Sequence, residues 1–316
     1  MTRSIAHLAM VIIVAFALIS LALGYWQVVR ANELLSDPSL NRARLYEEEK
    51  RIQRGKILDR NGEVLARTET TAAGGKRVYS APWLVHVTGQ YSLRYGNTNI
   101  ERTYDPYLRG KTGVDPVTAM QDRLLHRPIV GDDVVLTIDN RLQKVAEEAL
   151  GDAQGAIIVM NPRNGEMLAL VSHPYYDPNT LEQKWQQLRD DPATPLLNRA
   201  TQGLYTPGST FKTLTVAAAL DSGVAKMEDR FDYTLQPGPP NFHSEVFHGF
   251  SVYCANHPNS PAGKLSLSLS QAYADSCNVT FARLGVKLNH QRLTDYASRF
   301  GLGEELPVDI ASAASR

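Results

Sequence analysis

From Leu8 to Val29 the sequence runs for 22 residues without a charged side chain, as LAMVIIVAFALISLALGYWQVV. A helix rises about 1.5 Å per residue and needs roughly 20 residues to cross a hydrocarbon core, so this run can span a bilayer. Tyr25 and Trp26 near its far end suit a membrane interface. A secretory signal peptide is the alternative, with Ala22-Leu23-Gly24 as a small-x-small site. The run is longer than an ordinary signal core, so an uncleaved anchor is expected. Polar residues are nearly absent from every face, which argues against a buried helix of a soluble domain. Arg3 precedes the run and Arg30, Arg42 and Arg44 follow it. Taken literally, the positive-inside rule would put the downstream part inside, but long domains translocate regardless of local charge.

Beyond this run the chain reads as ordinary globular protein. Its 316 residues suggest about two domains. The 33 basic and 33 acidic side chains cancel, so no global excess of Lys and Arg exists to displace counterions from nucleic acid. Two cysteines cannot build a disulfide-dense scaffold or complete a structural zinc site.

Residues 31 to 53 are polar and read as a juxtamembrane linker. In RGKILDRNGEVLA, residues 54 to 66, the turn signal Asp59-Arg60-Asn61-Gly62 lies between Ile57/Leu58 and Val64/Leu65, a hairpin pattern. Residues 78 to 108 are rich in Tyr, Thr, Val and Gly and suggest irregular β structure. GDDVVLTID, ending at Asp139, reads as a strand running into a helix cap. The helix that follows carries Leu142, Val145, Ala146, Ala149 and Leu150 on one face. From Gly155, two apolar runs flank NPRNGE, and Asn164-Gly165 is a strong hairpin signal. Both runs are apolar throughout, as expected of strands buried on both faces. A domain boundary is expected between 130 and 140. Pro- and Gln-rich stretches occupy 174 to 195 and 236 to 262.

The chemistry gathers around Ser209. Thr206-Pro207-Gly208 precedes it, and TLTVAAALDSG after Lys212 is a good helix former with Gly223 as its stop. Ser209 therefore falls in a first helical turn, where N–H groups can stabilise an oxyanion, and Lys212 lies on the same face. A serine hydroxyl is a weak nucleophile, and a neutral lysine beside it can take its proton. An N-cap serine with a solvated lysine is the alternative for this segment taken alone. Ser276-Cys277-Asn278 follows within LSLSLSQAYADSCNVTFARLGVKL, which reads as a helical hairpin or a broken helix. Ser-x-Asn is a cheap match, since Ser39-Leu40-Asn41 also fits it. Ser276 and Asn278, however, sit among apolar helix residues, where unpaired polar groups are costly.

Ser-x-x-Lys followed by Ser-x-Asn is the motif pair of penicillin-binding proteins and serine β-lactamases. With RGKILDRNGEVLA, VVLTID and GAIIVMNPRNGEMLALVSHPYYDPN in the same order, the chain resembles class B penicillin-binding proteins, the monofunctional peptidoglycan transpeptidases. HVTGQYSLRYGNTNIE is similar to the penicillin-binding protein A branch of that class. The resemblance implies an α/β (α+β) transpeptidase fold, a helical cluster with an antiparallel sheet. A β-rich pedestal and one N-terminal transmembrane helix would precede it. The implied division is a short cytoplasmic tail and anchor over 1–30, linker and pedestal over 31–138, and the N-terminal part of the catalytic domain over 139–316. The resemblance makes Ser209 the nucleophile toward the penultimate D-Ala of a stem peptide, and toward β-lactams. Lys212 would be its base, Ser276 a proton relay and Asn278 a hydrogen-bonding partner of the donor peptide or of Lys212. It implies no metal or organic cofactor. It places the catalytic domain outside the cytoplasmic membrane, with a glycosyltransferase and division or elongation proteins as conceivable partners.

The family's third motif, Lys-Thr-Gly, is expected on a strand after Asn278. The one match, Lys111-Thr112-Gly113, precedes the serine and reads as coincidence, so the chain looks like part of a longer transpeptidase. Cys254 and Cys277 are open between a disulfide and small buried thiols, with the buried thiol the plainer reading for Cys277. His243, His248 and His257 lack metal-ligand spacing and read as solvated loop histidines. Asn278-Val279-Thr280 fits a glycosylation sequon, but a buried helical site argues against its use. Two other functions share these features. One is a β-lactam sensor or β-lactamase, which the long segment before Ser209 disfavours; the other is a non-catalytic scaffold for cell-wall synthesis.

Overall fold

The computed structural model describes residues 2–30, 52–71, 74–113, 115, 121, 125, 127–237, 242–254 and 263–315. Nearly all of the polar linker, the Ser39-Leu40-Asn41 match, His257 and much of 236–262 lie outside the described residues. The apolar run forms α1 (Thr2–Gly24), continued by a π-helical turn over Tyr25–Val29. The most apolar 18 residues within His7–Val29 have a mean hydropathy of 2.6, and none of them is buried against the rest of the chain. This segment is long and apolar enough to cross a membrane.

The chain divides into two compact units, Met1–Leu196 and Leu197–Arg316. In the first, β1 (Ile52–Gln53) is followed by β2 (Ile57–Leu58), β3 (Val64–Thr71) and β4 (Gly74–Tyr79). Strands β2 and β3 pair antiparallel across the expected turn, where Gly62 adopts φ +85°. Asp59 closes that turn. Its buried carboxylate accepts from the N–H groups of Asn61, Glu63 and Asn140 at 2.8, 2.8 and 3.2 Å. Burial alone would raise its pKa, but these bonds hold it below the usual carboxylate range.

The residues after Tyr79 depart from expectation. Instead of irregular β structure they form a 3₁₀ turn (Pro82–Leu84) and three short helices, α2 (Val85–Thr88), α3 (Asn99–Thr103) and α4 (Asp105–Leu108). Pro82 and Pro106 suit first helical turns, and burial of Leu84, Val85 and Leu108 outweighs the β preference of Val, Thr and Tyr. Helix α3 supplies Glu101, fully buried between Arg54 Nε and Arg77 Nε at 2.7 Å each, while Arg54 Nη1 reaches Asp105 at 2.6 Å.

β5 (Ile129–Val130) pairs parallel with β1, and β6 (Val134–Val135) pairs parallel with β2, giving a four-stranded sheet in the order β4-β3-β2-β6. Asp139 caps α5 (Asn140–Leu150) by accepting from Arg141 N. The buried face of α5 differs from the sequence reading. Val145 and Ala149 are exposed, whereas Gln143 is fully buried and exchanges two 2.8 Å bonds with the Leu170 backbone. Strands β7 (Gly155–Met160) and β8 (Met167–His173) form the expected hairpin, with Gly165 at φ +78°. Only β8 is buried as both had been expected to be; Ile158 and Met160 of β7 are exposed, because α5 and α2 pack mainly on β8. Helix α6 (Leu181–Asp190) ends this unit's regular structure.

The second unit opens with a 3₁₀ turn (Gly208–Thr210) and α7 (Phe211–Asp221). Strand β9 (Arg230–Leu235) alternates, burying Phe231, Tyr233 and Leu235. A hairpin of β10 (His243–Phe247) and β11 (Phe250–Cys254) follows, then β12 (Gly263–Ser268), antiparallel to β9. The LSLSLS stretch had been read as helical; its first four residues, through Ser268, are strand, because the leucines alternate. Ser268 ends it in a capping box with Gln271 and starts α8 (Leu269–Ala274). After a break at Asp275-Ser276-Cys277, α9 (Asn278–Arg299), itself interrupted at Asn289 with φ +64°, carries Val279, Leu284 and Leu288 into one core with Ala218, Ala219, Phe231 and Leu269.

Candidate active site

Three local structures present the four residues singled out by sequence. The first is the turn before α7. Gly208 has φ +56°, a conformation that a residue with a Cβ adopts only under strain, and it turns the chain so that Ser209 is exposed at the helix start. The second is α7 itself, an Ala- and Leu-rich helix ending with Gly223 at φ +69°. It places Lys212 one turn beyond Ser209, with only 9% of the lysine exposed. The third is the break between α8 and α9. Ser276 sits there at φ +54°, in the left-handed region that a serine occupies at a cost of about 1–2 kcal/mol. The broken-helix reading of this segment thus holds from Leu269 onward.

These elements converge on one amine. Lys212 Nζ lies 3.2 Å from Ser209 Oγ, 2.9 Å from Ser276 Oγ, 2.8 Å from the Ser276 carbonyl and 2.5 Å from Asn278 Oδ1. Ser276 Oγ also donates to Ser209 Oγ at 3.2 Å. Burial lowers the pKa of Lys212 from the usual lysine value. A neutral amine here can donate to the Ser276 carbonyl and Asn278 Oδ1 while its lone pair accepts the Ser209 hydroxyl proton. The arrangement is that of an exposed nucleophile, a buried base and a second hydroxyl within relay distance of both.

Some contributors carry no motif. The Phe281 ring lies beneath Lys212 Nζ at 5.7 Å, and Tyr273 Oη shares a 2.8 Å hydrogen bond with Thr213. Phe281 was legible in principle, since it lies three residues after Asn278 on one helix face. Cys277 does not remain a thiol. It pairs with Cys254, their Cα atoms 5.1 Å apart, because the hairpin end meets the helix break. His243 is not a solvated loop residue either: it starts β10 and its ring faces Glu245 Oε1 at 2.9 Å and the Thr234 carbonyl at 3.0 Å. His248 is exposed in the hairpin turn. Lys111-Thr112-Gly113 lies in a bend of the first unit, not on a strand. The sequon is only half buried: Thr280 has no exposed surface, but Asn278, which would carry the glycan, is exposed and not buried as expected. No group of three or more metal-binding side chains occurs among the described residues.

Known proteins show the same arrangement of segments. Residues 155–315 match the penicillin binding protein transpeptidase domain, and residues 54–134 match the penicillin binding protein A dimerisation domain. The chain is 35% identical to the peptidoglycan D,D-transpeptidase PbpA of Mycobacterium tuberculosis, over 99% of this chain and 65% of that protein. It is 31% identical to the peptidoglycan D,D-transpeptidase MrdA of Escherichia coli, over 70% of this chain and 35% of that protein. The structure of penicillin-binding protein A from M. tuberculosis, as an imipenem acyl-enzyme complex, superposes with a TM-score of 0.71 at 35% identity, covering 84% of this chain and 64% of that one. The chain thus spans just under two thirds of the length of the M. tuberculosis protein and about one third of the E. coli one. With one matched domain covering half its residues and a second covering the β-rich segment before it, the chain belongs to the class B branch of the penicillin-binding protein transpeptidase family.

Proposed function

We propose that this protein is a peptidoglycan D,D-transpeptidase that works through an acyl enzyme on Ser209. The observation that carries the proposal is the position of Lys212 Nζ, in reach of Ser209, Ser276 and Asn278 at once. Ser209 Oγ attacks the carbonyl carbon of the penultimate D-Ala while neutral Lys212 takes its proton. The oxyanion is met by N–H groups at the helix start. Ser276 passes a proton to the departing amine, so the terminal D-Ala leaves and the ester to Ser209 remains. An amine from a second stem peptide then attacks that ester, gives up a proton along the same path and leaves as the cross-linked product. Asn278 holds Lys212 and meets the donor peptide's amide. A β-lactam carbonyl would acylate Ser209 by the same first step.

The apolar segment His7–Val29 supports a single-pass anchor in the cytoplasmic membrane. The reaction places the catalytic part on the outer side, where stem peptides are. The proposed division keeps 1–30 as tail and anchor, 31–138 as linker and pedestal, and 139–316 as catalytic domain. Partners of the pedestal would be glycosyltransferases or other proteins of division or elongation. Labelling of the full-length protein with a fluorescent penicillin tests the catalytic reading. Stable labelling lost in Ser209→Ala is expected. Labelling that survives this change would place the nucleophile elsewhere, and rapid turnover of the label would identify a β-lactamase.

A further inference from the structure

Asn278 and Ser276 reach Lys212 only if the first turns of α9 keep their rotation about the helix axis. Three contacts fix it. Cys277 is bonded to Cys254 at the end of β11. Thr280, fully buried, shares a hydrogen bond with the Tyr233 hydroxyl of β9. Arg283 grips Glu245 of β10: Nε donates to Oε2 at 3.0 Å, and Nη2 donates to Oε1. The same guanidinium donates to the Asp232 carbonyl at 3.2 Å and lies 5.1 Å over the Tyr233 ring. At about 100° per residue, positions 277, 280 and 283 sweep one side of the helix, and Asn278 falls nearly opposite Thr280. The helix is held from behind while its front faces the lysine.

The Arg283–Glu245 pair differs from ordinary surface ion pairs. It is bidentate, about three-quarters buried on both sides, and backed by His243 Nε2 on the same carboxylate at 2.9 Å. These bonds, the Arg283 contact foremost, hold the Glu245 carboxyl below the usual range. The site described above uses neither residue, and Lys212 Nζ bonds to Ser209, Ser276 and Asn278 instead.

The geometry points to Glu245 and Arg283 as positioning residues for the transpeptidase site, acting through the rotation of α9 on Asn278 and thereby on Lys212. The inference rests on the function proposed above. If the clamp opens, α9 can roll about its axis, Asn278 Oδ1 leaves the amine, and Lys212 no longer holds its lone pair toward Ser209. Asn278 also meets the ligand, so the encounter loses one neutral hydrogen bond while the acylation step loses its oriented base. The clamp therefore acts mainly on the rate of the acylation step and far less on the concentration that half-saturates it.

The test is stopped-flow or gel-resolved acylation of the full-length protein by a fluorescent penicillin, for wild type, Glu245→Gln, Arg283→Gln and the double variant. Each single change is expected to lower the saturating acylation rate about tenfold while changing the half-saturating concentration by no more than about threefold, the worth of one weak hydrogen bond. The double variant is expected to be no slower than the worse single one, because both changes open the same clamp. Melting temperatures identify any loss of fold. Should Arg283→Gln fail to fold, Glu245→Gln, which keeps shape and one acceptor, carries the test alone. Wild-type saturating rates in the folded variants, or a double variant about a hundredfold slower, would overturn the clamp while leaving Ser209 chemistry standing. A wild type that is not labelled, or a Ser209→Ala variant that is, overturns the transpeptidase reading and the clamp with it.

Discussion

Ser276 Oγ stands 3.2 Å from Ser209 Oγ although 67 positions of sequence separate them. That contact exists because Ser276 accepts a left-handed backbone in the break between two helices. Ser276→Gly should relieve the strain and remove the hydroxyl together. The expected result is a melting temperature within a few degrees of wild type, with penicillin acylation slowed at least tenfold. A thermal melt paired with a labelling time course checks both halves.

Lys212 gives a pH prediction. Burial holds its pKa below the ordinary lysine value of about 10.4, and a base acts only when neutral. Acylation should therefore rise with pH along a limb that levels off below about 10.4. Between the folded and unfolded values the unfolded chain carries more protons on this lysine, so folding stability should also rise with pH across that window. Lys212→Arg should erase the rate limb and slow acylation by about 10²–10⁴, since a guanidinium does not deprotonate there. A limb at or above the ordinary lysine value in a pH–rate profile would sink the assignment.

In the first unit, Glu101 has no exposed surface and holds two guanidinium groups. Glu101→Ala should destabilise the first unit by about 3–5 kcal/mol, because it leaves two buried cations without their shared partner. The exposed pair Arg189–Asp190 is the comparison: Arg189→Ala should change stability very little. Urea unfolding of each variant measures the difference. Equal effects would mean that burial of the first pair is not what matters.

In the second unit, Leu284 lies fully buried on α9 within the core that backs the site. Leu284→Ala should cost about 2–5 kcal/mol by urea unfolding, with the spread set by how far the core closes around the lost volume. Fluorescent-penicillin labelling of the fraction that stays folded should keep its wild-type rate, which separates core packing from positioning.

Much of this fold is legible because its signals are local. The apolar run, the Asp59–Gly62 turn, the Asn164-Gly165 hairpin and the helix after Ser209 are each specified within about two dozen consecutive residues. The site is legible for a different reason: Ser209 and Lys212 share one helix face, and Ser276 and Asn278 are polar groups where an apolar helix has no use for them. What stays hidden depends on distant partners. Gln143 looks solvent-facing until Leu170 supplies backbone groups to match both ends of its amide. The alternating leucines of β12 carry a strand signal, but the helix formers after Ser268 mask it. Nothing near Arg283 points to Glu245, which arrives from a hairpin 38 positions away.

The buried ions of the first unit also bear on the order in which the molecule can assemble. Arg54, Arg77, Glu101 and Asp105 fall within a stretch whose ends are 51 positions apart. Their network can close while the chain is still short, before Ser209 has been synthesised. A nascent protein therefore acquires a neutralised, locked base early. The segment that will hold the reactive lysine then emerges behind a part already folded, instead of competing with it for partners.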